Sequence, residues 1–280
     1  MALSAGRILS GTWGVVARCF PALMGMWLLY FAIYLAASLL FALVIGMSAY
    51  SSSEIGNTAS LYGFADSILL GMVLFYLGWI LLWLAQLGSM TAKASPVQDI
   101  AFGEAVSAGV RSCLTLFVVT VLLGALGILA LLISAVIARI SGLSDELAGL
   151  GGLAVVLVPA IYLWSRLSLV VPIAAIEGGR NPFKIMARSW RLTRAHWNAI
   201  FVAAIGFAVL QLLLGLMLFV PVWLFEGGPS ETTAIVFIFY LIFGFAGFAA
   251  LSSIAQAAFI ATIHGEITGT ADAKLGETFA

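Results

Sequence analysis

The chain has 280 residues, of which 63% are apolar and 9% charged, with a mean hydropathy of +1.17. A soluble globule of this size needs far more polar surface, so a water-soluble fold is excluded, and apolar runs leave no stretch for a soluble catalytic domain. The formal net charge of zero conceals a sided distribution of charge, and no nucleic-acid partner is expected from it.

Six spans are predicted in chain order, at 21–47, 66–90, 113–137, 151–175, 197–220 and 234–262. The first is too long for the apolar core of a signal peptide and reads as a retained span. Each run can cross about 30 Å of hydrocarbon at about 1.5 Å per residue. Lipid offers no partners for open strand edges, so the spans must be helical, and the alternating pattern of a β-barrel is absent.

With the N-terminus in the cytoplasm, Arg7, Arg18, Lys93, Arg111, Arg180, Lys184, Arg188, Arg191, Arg194 and Lys274 lie inside, and Arg166 sits within a span toward the same side. Arg139 alone falls outside, among loops that carry Glu54, Asp145, Glu146, Glu226 and Glu231, with Asp66 at a span entrance. This asymmetry predicts cytoplasmic N- and C-termini.

Three segments on that side have helical periodicity: 3–20, 96–112 and 182–197. Pro96 and Pro182 stand where first-turn prolines belong, with Ser95 and Asn181 before them as N-caps. On the last segment Phe183, Met186, Trp190 and Trp197 share one arc, and Lys184, Arg188, Arg191 and Arg194 an adjoining one. This suits a helix in the membrane plane that contacts anionic phospholipid or a protein partner. A plain topology signal, with the aromatics packed on neighbouring helices, accounts for the same pattern.

Each such segment precedes two spans, which divides the single integral membrane domain 1–280 into units of about 1–90, 91–177 and 178–280. Arg18-Cys19, Arg111-Ser112-Cys113 and Arg194-Ala195-His196 occupy matching places, as do Gln86, Arg166 and Gln256. The predicted fold is therefore an all-α polytopic membrane protein: six transmembrane helices in three parallel repeats, each preceded by a cytoplasmic amphipathic helix.

Arg166 is costly inside a span unless it faces the bundle, snorkels or pairs. Glu177, eleven residues on, is its candidate partner, and a lipid phosphate is the other reading. Gln86, Gln211 and Gln256 either join helices through hydrogen bonds or line a polar path. Ala249, Ser253, Ala257, Ala261 and Gly265 form a ladder of small residues that permits close helix approach, whereas Gly78, Gly124 and Gly127 are ordinary for spans. Cys19 and Cys113 are expected to be packing residues. His196 and His264 lack a ligand-rich neighbourhood, and Ser189 lacks the carboxylate partner and elbow of a catalytic serine. No metal, cofactor or enzymatic activity is expected.

Pro159, Arg166, Pro172 and Glu177, followed by Pro182, Ser189, Trp190, Leu192 and Thr193 with Ala187 displaced, resemble the bacterial membrane-domain family named after glycerophosphoryl diester phosphodiesterases. That resemblance implies a membrane module with several spans, in a bacterial inner membrane. Metal-dependent hydrolysis in that family belongs to a separate soluble domain rich in histidines and carboxylates, for which these residues have no counterpart.

The expected function is a non-enzymatic inner-membrane scaffold or accessory subunit that binds phospholipid, anionic lipid included, or another inner-membrane protein. The alternative is a transporter or permease component for a lipid or small polar solute, which requires Gln86, Arg166 and Gln256 to meet around a cavity. An enzyme acting on lipid headgroups would need a cluster of base, nucleophile and metal ligands that the sequence does not supply.

Overall fold

The computed structural model describes residues 3–53, 58–140, 159–224 and 231–279. The described chain is helical nearly throughout: α1 (Ala5–Ser53), α2 (Thr58–Lys93), α3 (Phe102–Ile140), α4 (Pro159–Ala175), α5 (Pro182–Thr193), α6 (Trp197–Leu224) and α7 (Glu231–Phe279). Five contain segments long and apolar enough to cross a membrane: Ala5–Met47, Ile68–Lys93, Phe102–Ile137, Trp197–Met217 and Phe243–Gly269. The predicted fourth span, 151–175, begins outside the described residues, and its described part is the shorter apolar helix α4.

Two of the three predicted interfacial segments do not form helices of their own. Residues 5–20 continue directly into the first span, because α1 runs through Pro21 without ending. Proline forfeits one backbone bond, and the burial of Val15, Leu23, Met26 and Trp27 on either side holds the helix together. Likewise α3 carries the second segment in line with its span, but it starts at Phe102 rather than Pro96.

The start of α3 shows why Ser95 and Pro96 are not cap and first turn. Pro96 is drawn against Gly265 of α7, at a place where any β-carbon on Gly265 would collide with its ring. Ser95 Oγ accepts the Val97 N–H at 3.2 Å within a turn, and the Lys93 ammonium fastens the stretch by donating to Asp99 (3.1 Å) and to the Ile100 carbonyl (2.7 Å). The helix begins instead after Ala101, whose N–H is accepted at 3.2 Å by the Glu104 carboxylate reaching back from the first turn.

α5 behaves as predicted at its start. Pro182 occupies the first turn and the Asn181 side chain accepts the Lys184 N–H at 3.1 Å. The basic anchors of the three sequence units thus sit differently: Arg18 and Arg111 lie within unbroken helices, whereas 194–196 form a turn between α5 and α6.

Packing concentrates at the arginine-rich end. Large apolar side chains at 31–47, 69–80, 114–137 and 205–217 are widely exposed, while Ile8, Leu23, Met26, Leu84, Met90, Ile173, Ile200 and Ile263 are buried. The membrane-length segment of α7 is half buried against 6% for that of α1, so α7 is the central column. α1, α2, α6 and the last turn of α4 all pack on it. The small-residue ladder explains the closeness: Ala257 and Ala261 are fully buried, and a β-carbon on Gly11 of α1 would stand 2.9 Å from Thr262.

Among the described residues α2 and α3 make the most extensive helix pair. They cross at Gly88 and Gly109, and Ser89 bonds within the crossing to the Ala85 carbonyl (2.8 Å) while sharing a hydrogen bond with the Tyr30 hydroxyl of α1 (2.8 Å).

Candidate functional site

α5 has three faces. Ile185, Ser189 and Thr193, spaced by four, are buried against α4. Lys184, Arg188 and Arg191 are exposed on one flank, and Phe183 (67% exposed) and Trp190 (37%) on the other. The buried stripe is tied to α4 at the Arg166 carbonyl: Ser189 Oγ donates to it at 2.9 Å, and the Thr193 hydroxyl shares its one proton between it (3.0 Å) and the Ser189 carbonyl (2.9 Å). Ser189 thus fastens α5 to α4.

Removing the staple with Ser189→Ala and Thr193→Val is expected to cost about 2 kcal/mol, at about 1 kcal/mol for each net hydrogen bond. Hydrogen exchange should rise in 182–193 ahead of the rest of the chain. Unchanged protection of that segment would show that apolar packing alone holds α5.

The Arg166 side chain does not meet Glu177. It is buried (5% exposed) with its guanidinium 4.4 Å over the Trp190 ring and 5.8 Å from Tyr162. Its Nε and Nη1 are enclosed without a hydrogen-bond partner. The ring faces supply the favourable field that a carboxylate was expected to supply. Tyr162 in turn stands edge-on to both Trp190 (6.1 Å) and Trp197 (5.7 Å), so these aromatics hold α4, α5 and α6 together at their basic ends.

Glu177 serves a different pair. The chain leaves α4 through Gly178, whose φ of +70° suits glycine, and Gly179 leaves room for Ile185 to pack at its α-carbon. This turn brings α5 back beside α4, so that Arg188 reaches Glu177 at 2.8 Å. On its other oxygen Glu177 meets His264 Nε2 of α7 at 3.3 Å. His264 is 2% exposed and its Nδ1 is buried without a partner. The sequence reading missed this link, because the 87 positions between His264 and Glu177 give no periodic signal. Lys184, Arg191 and Arg194 remain exposed at the surface.

Gln86 and Gln256 do come together. Both line a crevice of about 470 Å³ between α1, α2 and α7, with Tyr34, Trp79, Trp83 and Phe245 among its walls. Arg166 is not one of its lining residues, so the three polar positions of the even-numbered spans divide between two places. A separate apolar groove of about 600 Å³ lies between α4 and α6, with Trp164, Phe207 and Gln211 on its walls.

Among the described residues, no three His, Cys, Asp or Glu side chains gather as a metal site, and Cys19 and Cys113 are free thiols. The geometry thus defines a helical protein of membrane-length apolar helices, with a charged and aromatic patch at one end and, in its flank, a largely apolar crevice that carries a few polar side chains. No protein-family model, curated protein or solved structure matches the chain.

Proposed function

We propose that the protein is a non-enzymatic lipid-binding scaffold or accessory subunit of a bacterial inner membrane. It would have six spans in three parallel units, with both termini in the cytoplasm. The observation that carries this reading is the three-faced α5. A helix stapled along one side to α4 presents exposed lysine and arginines on the second side and exposed Phe183 and Trp190 on the third. Such a helix suits the boundary between hydrocarbon and headgroups, where basic side chains attract anionic lipid by about 1 kcal/mol each and aromatic rings sit at headgroup depth. Arg188 is engaged with Glu177, which leaves Lys184, Arg191 and Arg194 as the contacts for phosphate.

The resemblance carried by Pro182, Ser189, Trp190, Leu192 and Thr193 accords with a membrane module of this kind. The transport reading draws less support, because Arg166 is packed under Trp190 rather than beside Gln86 and Gln256.

The test is lipid analysis of protein purified in mild detergent from bacterial membranes. Wild-type protein should retain phosphatidylglycerol and cardiolipin in preference to phosphatidylethanolamine. Replacing Lys184, Arg191 and Arg194 with Gln should lower that preference about tenfold or more, three charges at about 1 kcal/mol each being ample for it. Equal retention by wild type and variant, or solute flux through reconstituted wild-type protein, would overturn the reading.

A further inference from the structure

The crevice between α1, α2 and α7 differs chemically from the basic helix. Its walls include the aromatic rings of Trp79, Trp83 and Phe245 and the polar side chains of Tyr34, Gln86 and Gln256, and none of its lining residues is charged. The volume of about 470 Å³ lies within the range of about 300–1,000 Å³ common for small-molecule sites.

Its polar groups have hydrogen-bonding capacity to spare. The Tyr34 hydroxyl is buried with no partner. Gln86 is 5% exposed, and its amide nitrogen reaches the Met90 sulfur at 3.7 Å, a weak acceptor. Ser253 Oγ, by contrast, already donates to the Ala249 carbonyl at 2.7 Å. Buried groups of this kind are normally paired, and Tyr34 and Gln86 are among the residues that line this space.

Depth selects the ligand. Gln86 lies seven residues before Lys93 at the basic end of α2, and Tyr34 sixteen residues beyond Arg18 on α1. At about 1.5 Å per residue the crevice therefore extends from roughly 10 to 24 Å beyond those charges, well within a hydrocarbon layer of about 30 Å. An ionised headgroup drawn to that depth would meet no counter-charge among the lining residues, whereas a hydroxyl or carbonyl would find both donors and acceptors. Trp79 and Trp83 are each about two-fifths exposed, which leaves the crevice open toward lipid for entry from the side.

We infer that this crevice is a binding site for a neutral lipid, a long hydrocarbon chain bearing an uncharged hydroxyl or carbonyl group that Tyr34, Gln86 and Gln256 hold. The inference rests on the lipid-binding reading above and adds to it a second, uncharged ligand class at a separate place. Glycerides with a free hydroxyl and long-chain isoprenoid alcohols share the required chemistry.

The test uses the full chain in phosphatidylcholine nanodiscs doped with a diazirine-bearing diacylglycerol, a diazirine-bearing polyprenol or a diazirine-bearing phosphatidylglycerol. Crosslinked peptides are mapped by mass spectrometry after illumination. One or both neutral probes should label the Tyr34, Trp79–Gln86 or Phe245–Gln256 regions saturably, and the stronger of the two identifies the natural source. Tyr34→Phe, which removes one unpartnered oxygen and leaves the melting temperature unchanged, should reduce that labelling at least threefold. Addition of Gln86→Leu should bring it to the level of the lipid-facing side of α3.

Labelling that withstands Tyr34→Phe, or phosphatidylglycerol labelling of the crevice as strong as that of the neutral probes, overturns the inference. If phosphatidylglycerol marks 182–197 while the neutral probes leave the crevice unmarked, the neutral-lipid site alone falls. If no probe labels either region saturably, the lipid-binding function falls with it.

Discussion

Phe259→Ala is expected to lower the unfolding free energy by about 3–5 kcal/mol, the usual range for removing a fully enclosed phenylalanine. Phe259 is fully buried in the central helix α7 and stands between Phe207 of α6 at 4.7 Å and Trp164 of α4 at 6.1 Å, nearly parallel to both rings. Loss of the ring therefore opens one cavity against two helices at once. In a bilayer the penalty comes from lost packing contacts, because lipid tails are as apolar as the ring they would replace. Equilibrium unfolding in mixed micelles measures it, and a cycle with Phe207→Ala should return a coupling of about 0.5–1.5 kcal/mol. A loss below about 1 kcal/mol would mean that neighbouring side chains or lipid refill the space.

The second large effect is expected at the crossing of α2 and α3. Gly109→Val places a side chain where its β-carbon already overlaps Ser89 Oγ and the Ala85 carbonyl, and across the crossing a β-carbon on Gly88 would stand 3.1 Å from the Gly109 α-carbon. Backbone cannot yield as the end of a flexible side chain can, so the cost should reach about 3 kcal/mol, the upper part of the range for overpacking. The strain should also pull Ser89 from the Tyr30 hydroxyl. Thermal unfolding followed by tryptophan fluorescence gives the readout, with Gly124→Ala and Gly127→Ala as comparisons. Nothing lies within 4 Å of a β-carbon at either of those glycines, so both replacements should change stability by less than about 0.5 kcal/mol or raise it slightly. Equal effects at Gly109 and Gly124 would show that the crossing does not set the fit of the two helices.

The contrast among these glycines marks where sequence reasoning reaches its limit in this molecule. Hydropathy locates a residue along the membrane normal, and five predicted spans coincide with membrane-length helices for that reason. It says nothing of the direction in which a side chain points around its helix. Gly109 and Gly124 look alike in the chain, yet one is pressed against α2 and the other faces open space. The spacing of Ala105 and Gly109, and of Ala85 and Ser89, carried the signal of close approach, but short apolar residues at intervals of four are common in spans.

Local chemistry was legible where it was self-contained. Asn181 and Pro182 cap α5 because every atom involved lies within four residues. Ser95 and Pro96 have the same spelling and a different outcome, since Gly265 of α7 offers Pro96 a fitted surface and Lys93 holds the loop around it. The candidate site divides in the same way. The basic and aromatic sectors of α5 follow from its sequence, whereas the partners of Arg166 and Glu177 depend on how α5 folds back at Gly178. That reversal gives Arg166 an aromatic face and assigns Glu177 to Arg188 and His264. Gln86 and Gln256 share a wall because α2 and α7 are neighbours, and nothing local foretells that adjacency.

The central place of α7 also bears on how the protein is made. Helices leave the ribosome in order, and among the described helices the column on which α1, α2, α4 and α6 converge follows all four of them in the chain. The α2 and α3 pair can close as soon as both have emerged, since its glycine crossing is complete within the pair. α1 has no such early partner on its α7 side: Gly11 must wait for Thr262, some 250 residues later. The face of α1 that matches α7 can therefore be covered by this helix only after the five helices between them in the chain have been made.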